Sequence, residues 1–558
     1  MSDKLQSGSP RLRESIARLE RYRQGKRRLD ARLYNEAMWW QSRHETAPAE
    51  GDSRRSGKPV SAWLFNSICN KHADLCDRMP VCTALPREPG DRADAALLSA
   101  VLPVVAARCR LKKTYSDNAW IKLRHGTAVY GVFWNPALEN GIGDIDIRRV
   151  DILNLFWEPG VTDIQDSPHL YLVGLEDRAA LESRYPVLAE AVRQGRLDPD
   201  STPADGASLL GSGGSYLLRE RDGCPEKYTV VDWYYRKALP DGRTVLHYAK
   251  YVGDILLYAS ENDPACAERG WYDHGLYPFV PDVLFPEADS PAGYGLIAVG
   301  RNPQGYIDEL DGHILEYANW ASRVRYWAKR SLGINEKEFL DPDRRIIQVE
   351  GDMDEEKLRQ ITLSPMDGML SEVRQMKIEE LKETTGTRDV NQGMSGGVTA
   401  ASAITALQEA GDKSSRDCVS GSYRAYVAVM EQVVELIRQF YTGTRCFRIA
   451  GDGGWKYIRY SNRGLRDRVT GTDAAGNPLR RRPVFDIDVR AERENPLDRA
   501  GRNELMLSLF RAGMFDPDRR AAAALALSDM DFDGIDALRA AVAPAAVAAV
   551  APTAGDSE

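Results

Sequence analysis

The sequence predicts an α+β fold, and three observations carry that reading. Stretches before residue 125 and after residue 302 repeat apolar positions every three to four residues, the period of a helix with one buried face. Between them, segments such as 144–150 and 228–236 alternate with period two, as strands do. Glycine, asparagine and proline punctuate the switches from one period to the other. At 558 residues the chain is long enough for several packed units rather than one core. A content of 43% hydrophobic and 28% charged residues is that of an ordinary soluble globular protein. No apolar run approaches the ~20 residues that span a bilayer, so no membrane partner is expected. The N-terminus, MSDKLQSGSPRLRESIARLERYR, lacks a signal-peptide core. The eight cysteines include no CxxC and suggest no disulfide framework, which points to a reduced, intracellular setting.

Taken in order, residues 11–125 read as helical, with 61–79 and 93–124 as the clearest segments. A basic run inside it (Arg11, Arg13, Arg18, Arg21, Arg23, Lys26, Arg27, Arg28, Arg32) is punctuated by Leu12, Ile16, Leu19 and Leu33 and reads as a solvated amphipathic helix. In 134–160, Ile145 and Ile147 oppose Asp144, Asp146 and Arg148, the pattern of a strand with one wet face. Residues 200–215 read as a loop, and YTVVDWYYR, TVLHYAKYV and ILLYA follow as strands, the last two around a Gly253-Asp254 turn. At Asn302-Pro303 the period becomes helical, with asparagine as N-cap and proline in the first turn. Ile307, Leu310, Ile314, Tyr317, Ala321 and Val324 then mark a narrow seam, and the helix is expected to end near Leu332-Gly333. A compact insert follows, with a strand at 344–349 and a short helix at 354–360. From Ser364-Pro365 a second helix carries Met366, Met369, Leu370, Val373 and Met376 and closes at Thr385-Gly386. The two helices should lie antiparallel, like a stalk with a cap. A glycine-rich loop then opens a long helix over 399–441, with Gly411 and Gly421 as kink points and Tyr423, Tyr426, Met430, Val433, Ile437 and Phe440 on its apolar face. Strands return at RCFRIA, WKYIRY and VFDIDVRAE, a last amphipathic helix runs from Asn495-Pro496 to about Phe515, and an alanine/proline tail ends the chain.

No motif supplies a catalytic centre. The loop NQGMSGGV lacks the lysine that a phosphate-binding loop needs after its last glycine, since Val398 follows Gly397, and no strand precedes it. Asp529, Asp531 and Asp533, with Gly534, match the first half of a calcium loop, but its twelfth position is Ala540 where a bidentate glutamate is required. Cys69, His72, Cys76 and Cys82 match no common zinc module, and the first three share one helical face. Asp144, Asp146 and Asp151 suggest a nuclease metal site only until the strand alternation is noticed. HExxH and GxSxG are absent, so no enzyme, metal or cofactor is expected. The net charge of −8 argues against a conventional DNA binder, although not against a protein that touches DNA without holding it.

The order of parts resembles the portal protein, or head-to-tail connector, of tailed double-stranded DNA bacteriophages, of the prophage type. GYGLIAVGRNPQGYIDELDGHILEYAN (293–319) looks like the segment where a portal wing hands over to its first stem helix. VDILNLFWEPGVTDIQDSPHLYLV (150–173) is similar to a wing segment, and 401–441 to the long wing helix. The likeness is strong over 130–515, weak in both tails, and rests on combined order rather than one short motif.

What the resemblance implies is a portal fold. Residues 1–302 would be an N-terminal region and wing, and 303–328 and 365–386 two antiparallel stem helices. A small α/β clip would occupy 329–364, a tunnel loop 387–399, and the long kinked helix with wing strands 400–494. A helical crown would follow at 495–540 and a tail at 541–558. Portals assemble as dodecameric rings at one capsid vertex of the virion, built in the host bacterial cytoplasm, and pass double-stranded DNA through a channel. Implied partners are further copies of the chain, the terminase large subunit, a head–tail adaptor, and the major capsid and scaffolding proteins. Asn391, Gln392, Gly393, Met394, Ser395, Gly396 and Gly397 would face DNA, and Lys377 and Lys382 could form basic rings in the stem. Arg344, Arg345, Asp352, Glu355 and Glu356 would lie on the clip where terminase docks. The alternatives are another phage structural protein, such as an adaptor, or a DNA-processing packaging enzyme.

Overall fold

A computed structural model of the chain describes residues 4–44, 60–196, 227–322, 325–328, 358–361, 366, 368–386, 413–451, 454–472, 478–493, 508, 510, 511 and 513. The fold is mixed helix and strand. The chain divides into one unit of Met1–Cys76 with Pro80–Arg490 and a second of Asp77–Met79 with Ala491–Glu558. Few residues of the second unit are described, and the elements below belong to the first unless stated.

Four helices precede the sheets: α1 (Pro10–His44), α2 (Trp63–Cys76), α3 (Arg92–Arg108) and α4 (Leu111–His125). The expected helix over 61–79 stops at Cys76, and a strand, β1 (Arg78–Pro86), follows where the sequence reads as helix. The stretch 93–124 is two helices, broken at Arg110, whose φ of 53° is left-handed.

β2 (Thr127–Asn135) lies between β3 (Asp144–Val150) and β9 (Phe279–Val283) in an antiparallel three-stranded sheet. The second sheet is antiparallel and five-stranded, in the order β4 (Leu155–Phe156), β5 (His169–Asp177), β6 (Lys227–Ala238), β7 (Thr244–Val252) and β8 (Ile255–Ala259). Alternation along β6 explains its burial. Val231, Trp233 and Tyr235 point to one face, where Leu5, Leu12, Leu19 and Tyr22 cover them. Tyr228 and Val230 point to the other face, where α5 (Arg178–Arg184) and α6 (Pro186–Arg193) supply Leu181, Leu188 and Ala191. Asp232, half-buried, accepts a hydrogen bond from Tyr248 Oη at 2.7 Å and lies 3.7 Å from Lys250 Nζ. Burial is the largest influence on its carboxyl and raises its pKa.

The basic run on α1 is less solvated than its sequence suggests. Because the helix crosses an aromatic sheet face, arginines flanking the apolar stripe reach around it to partners. Arg11 pairs with Glu261 at 2.7 Å, Lys26 with Asp30 at 3.0 Å and Arg32 with Glu287 at 2.9 Å. Arg18 lies 2.7 Å from His169 Nε2, and burial, followed by the charges of Arg18 and Arg11, pushes the His169 pKa down to about 4. Arg13, Arg21, Arg27 and Arg28 remain exposed.

β3 also departs from expectation, since Asp144 is not on a wet face. It accepts from Tyr441 Oη at 2.6 Å and pairs with Arg108 at 2.8 Å and Arg445 at 3.5 Å, because the end of α3 and the chain after residue 440 cover it. Asp151 instead caps a turn, accepting from the Leu153 amide at 2.9 Å. His72 Nε2 contacts Ser116 Oγ at 3.1 Å, and Cys76 Sγ lies 3.5 Å from it. The Cys76 contact is the main cause raising the His72 pKa. Among the described residues, no group of three or more His, Cys, Asp or Glu could hold a metal ion, and no helix is long and apolar enough to cross a membrane. The seven described cysteines are free.

After the short pair β10 (Phe285–Pro286) and β11 (Gly293–Tyr294) comes α7 (Leu296–Ser322). It begins six residues before Asn302, so Pro303 lies inside it rather than at its start. Burial of Leu296 and Ile297 against α2 and α4 outweighs the local start signal. It also ends well before residue 332. Residues of β12 (Arg325–Ala328) pair antiparallel with β13 (Leu358–Ile361), where the sequence reads as the end of one helix and part of another. α8 (Met369–Thr385) closes at Gly386, whose φ of 67° provides the left-handed cap that the Thr385-Gly386 pair predicts.

α9 (Lys413–Phe440) carries the apolar face expected of it, with Tyr426, Met430, Val433 and Ile437 buried. Gly421 serves close approach rather than a kink: a Cβ there would sit 3.3 Å from Lys122 Nζ. The late strands are β14 (Arg445–Gly451) with β15 (Gly454–Tyr460), β16 (Arg468–Thr472) with β17 (Pro478–Arg481), and β18 (Phe485–Arg493), which pairs with β1. The calcium-like loop at 529–540, most of the crown-like region, Gly411 and the strand expected at 344–349 lie outside the described residues. Of the last expected helix, Ser508, Phe510, Arg511 and Gly513 are described; the first three are helical and Gly513 is in a turn.

Candidate functional site

The candidate site is the hairpin of α7 and α8, with the strand pair at its far end. Its base is built first. Gly300 lets three helices meet, since a Cβ there would lie 2.6 Å from Leu64 Cδ1 and 3.3 Å from Leu381 Cδ1. Ile307, Ile378 and Leu381 join the same core as Leu64, Ile68 and Leu123. A polar clasp supplements it: the Leu64 amide donates to Gln304 Oε1 at 2.9 Å, and Gln304 Nε2 donates to Ser61 O at 3.1 Å and Asp308 Oδ1 at 3.0 Å. Thr385 Oγ1 donates to Leu381 O at 2.8 Å and lies 3.2 Å from Ser67 Oγ. Fixing a buried side-chain amide on all sides costs little and sets the helix at one angle.

Outward from the base, three contacts fix the relative direction of the helices. Leu381 meets Gly300, Lys377 Nζ sits 5.5 Å above the Tyr306 ring, and Arg374 forks onto Asp311. Residue numbers fall on one helix as they rise on the other, so α7 and α8 run antiparallel as the sequence predicts. β12 and β13 continue this geometry, with Tyr326 opposite Gln360 and Trp327 opposite Arg359. Residues 329–357, between the two strands, lie outside the described residues.

The burial of this hairpin is graded. Ile307, Ile378 and Leu381 are buried at the base, whereas Leu315, Trp320, Met369 and Met376 are 49 to 64% exposed. The predicted seam on α7 is thus covered at Ile307, half-covered at Leu310, Ile314 and Tyr317, and open at Ala321. On α8 the buried apolar residues are Ile378 and Leu381, which the methionine pattern overlooked.

Lys377 and Lys382 both lie on α8. Lys377 Nζ also pairs with Glu380 at 2.6 Å, and Lys382 Nζ stands 5.5 Å over the Trp63 ring. Arg344, Arg345, Asp352, Glu355, Glu356 and the loop 391–397 lie outside the described residues. The sequence reading missed Arg374–Asp311 and the Gln304 clasp, whose partners are far apart along the chain. It also missed the pin behind the base. There Lys122 Nζ, fully buried, donates to Asp282 Oδ1 at 2.6 Å, Ser422 Oγ at 2.8 Å and Cys418 O at 3.2 Å, and Ser422 donates to Asp282 Oδ2 at 2.9 Å.

The family model for the phage P22-like portal protein matches residues 324–558. The match supports a phage portal protein. It opens immediately before β12 and takes in β13, α8, α9 and the late strands, while α7 and the body before it lie outside the matched segment. No curated protein matches the sequence. The match covers 235 of the 558 residues and supports a phage portal function in general. A portal is a component of the virion capsid.

Proposed function

We propose that the chain is the subunit of a portal ring, twelve copies at one capsid vertex, forming a channel through which double-stranded DNA is packaged and ejected. The observation that carries this reading is the hairpin: two antiparallel helices bracketing an insert, then a long helix, in a chain whose portal-family match opens immediately before β12. In this reading α7 and α8 are the stem, the insert is the clip on which terminase and head–tail adaptors dock, and the body before residue 302 is the wing. Residues 387–399 form the tunnel loop, with Asn391 to Gly397 passing DNA without gripping it. Support comes from the exposed Leu315, Trp320, Met369 and Met376, an apolar stalk that a neighbouring copy would cover. Further support comes from charge. About 40 Å of duplex carries about 23 phosphates, and a strongly basic lining would hold it fast. Twelve chains at −8 each bring a net charge of about −96, which favours passage. Docking sites for terminase and adaptors fall to Arg344, Arg345, Asp352, Glu355 and Glu356, and contacts with capsid and scaffolding proteins to the outer wing.

The test is deletion of residues 391–397 in phage that depend on this chain. The variant should assemble into particles, yet heads should contain several-fold less DNA than wild type. Normal packaging and retention by the deletion, or failure of the variant to assemble at all, would contradict the role given to the loop.

A further inference from the structure

The late strands hold a charge imbalance that the portal reading does not use. Residues 445–482 contain ten Lys and Arg against three Asp, within a chain whose net charge is −8. Two sets stand out among the basic side chains, while Arg482 pairs with Asp467 at the surface at 3.4 Å. Arg445 pairs with Asp144, Arg468 with Asp94 and Arg481 with Asp91, and the neighbouring Arg438 donates to Leu465 O at 2.9 Å and Pro483 O at 3.0 Å. These fix the late strands and the short turn Asn462–Leu465 to the rest of the unit. Arg459, Arg463 and Arg466 form the second set. They are exposed and have no carboxylate partner among the described residues.

The register of β14 and β15 shows how they are presented. Phe447 and Tyr460 are buried on one face. The cross-strand pairs Arg448↔Tyr457 and Cys446↔Arg459 therefore share the outward face. Tyr457 is 72% exposed there, two residues from Arg459. Arg463 and Arg466 follow on the turn, whose Asn462 and Leu465 are buried and hold it in place.

We infer that this face is a sequence-independent binding surface for the phosphate backbone of duplex DNA. The inference rests on the portal reading in that a portal is the protein such DNA meets. The chemistry favours phosphate. Arginine presents a planar fork of donors that matches phosphate oxygens in pairs, and an exposed tyrosine adds a hydroxyl donor beside it. A protein partner would require apolar anchors in pockets, and this face offers Tyr457 alone. The paired arginines pre-order the surface, so little is lost on binding. Outside this segment the chain carries a net charge of −15, from −8 less the +7 of the segment, and the exposed arginines of α1 serve as the control for attraction by charge alone.

The experiment uses full-length protein, a fluorescein-labelled 30-base-pair duplex of mixed sequence, and fluorescence anisotropy between 50 and 200 mM salt. The triple substitution R459Q/R463Q/R466Q removes only unpaired charges, and R13Q/R21Q/R28Q on α1 removes the same number elsewhere. Wild type should bind with strong salt dependence. The first variant should lose at least about tenfold in affinity, with the log–log salt slope reduced by about 2.7, or 0.9 for each lost phosphate contact. The α1 variant should bind as wild type. Equal binding by all three proteins, equal loss in both variants, or competition by polyglutamate as effective as unlabelled DNA would overturn the inference. Electron microscopy of the same samples separates the two ideas. Rings with unchanged DNA affinity in the first variant reject the patch and leave the portal reading intact. A patch-dependent affinity in protein that forms no rings supports the patch and rejects the portal reading.

Discussion

The five-stranded sheet and the helical hairpin solve burial in opposite ways. The sheet closes both its faces within one chain, α1 over Val231, Trp233 and Tyr235 and α5–α6 over Tyr228 and Val230. The hairpin is buried at its base, and beyond Ile307 and Ile378 its apolar side chains are half-covered or, as at Leu315 and Met376, open to solvent. A region that completes its own core needs nothing else to be stable. A region that stops halfway leaves apolar surface that, in the portal reading proposed above, the next copy would cover.

This contrast can be broken at three points, in descending order of effect. Lys122→Met should be the most damaging, because it leaves Asp282 charged and unpaired where both side chains are no more than 1% exposed. A loss of about 3–5 kcal/mol is expected, read by urea unfolding, and the double substitution with Asp282→Leu should recover much of it. Leu381→Ala, at the base of the hairpin, should cost about 2–4 kcal/mol by opening a cavity beside Gly300 and Leu64. Met376→Ser, on the same helix but 64% exposed, should move the unfolding midpoint by less than about 0.5 kcal/mol. Its effect should appear instead in assembly, as a lower fraction of rings at a given protein concentration in sedimentation velocity. If Met376→Ser destabilises the isolated subunit as much as Leu381→Ala, the open half of the hairpin is not a free surface.

Much of this architecture was legible in the sequence wherever a local period was strong. The turn at Gly253-Asp254, the strands on either side of it, the apolar face of α9 and the cap at Thr385-Gly386 all follow from short-range pattern. Three kinds of feature were hidden. β1 and β13 depend on partners far along the chain, and RMPVCTALP and LRQI show no clean alternation of their own. The break at Arg110 uses a left-handed arginine where glycine would have announced it. The early start of α7 shows burial overriding a proline start signal. At the candidate site, the antiparallel return of the two helices was readable from the insert between them. The Gln304 clasp, Arg374–Asp311 and Lys122–Asp282 were not, because paired polar residues separated by tens to hundreds of positions leave no periodic trace.

The central claim is that the hairpin's open face is completed by copies of the same chain arranged around a hole. Negative-stain electron microscopy of purified full-length protein in packaging buffer, with the mass of the same sample measured by light scattering, tests it most directly. The account predicts ring-shaped particles with a central channel and a mass of about twelve 62.2 kDa subunits. Persistent monomers at micromolar concentration, or compact particles without a central hole, would contradict it.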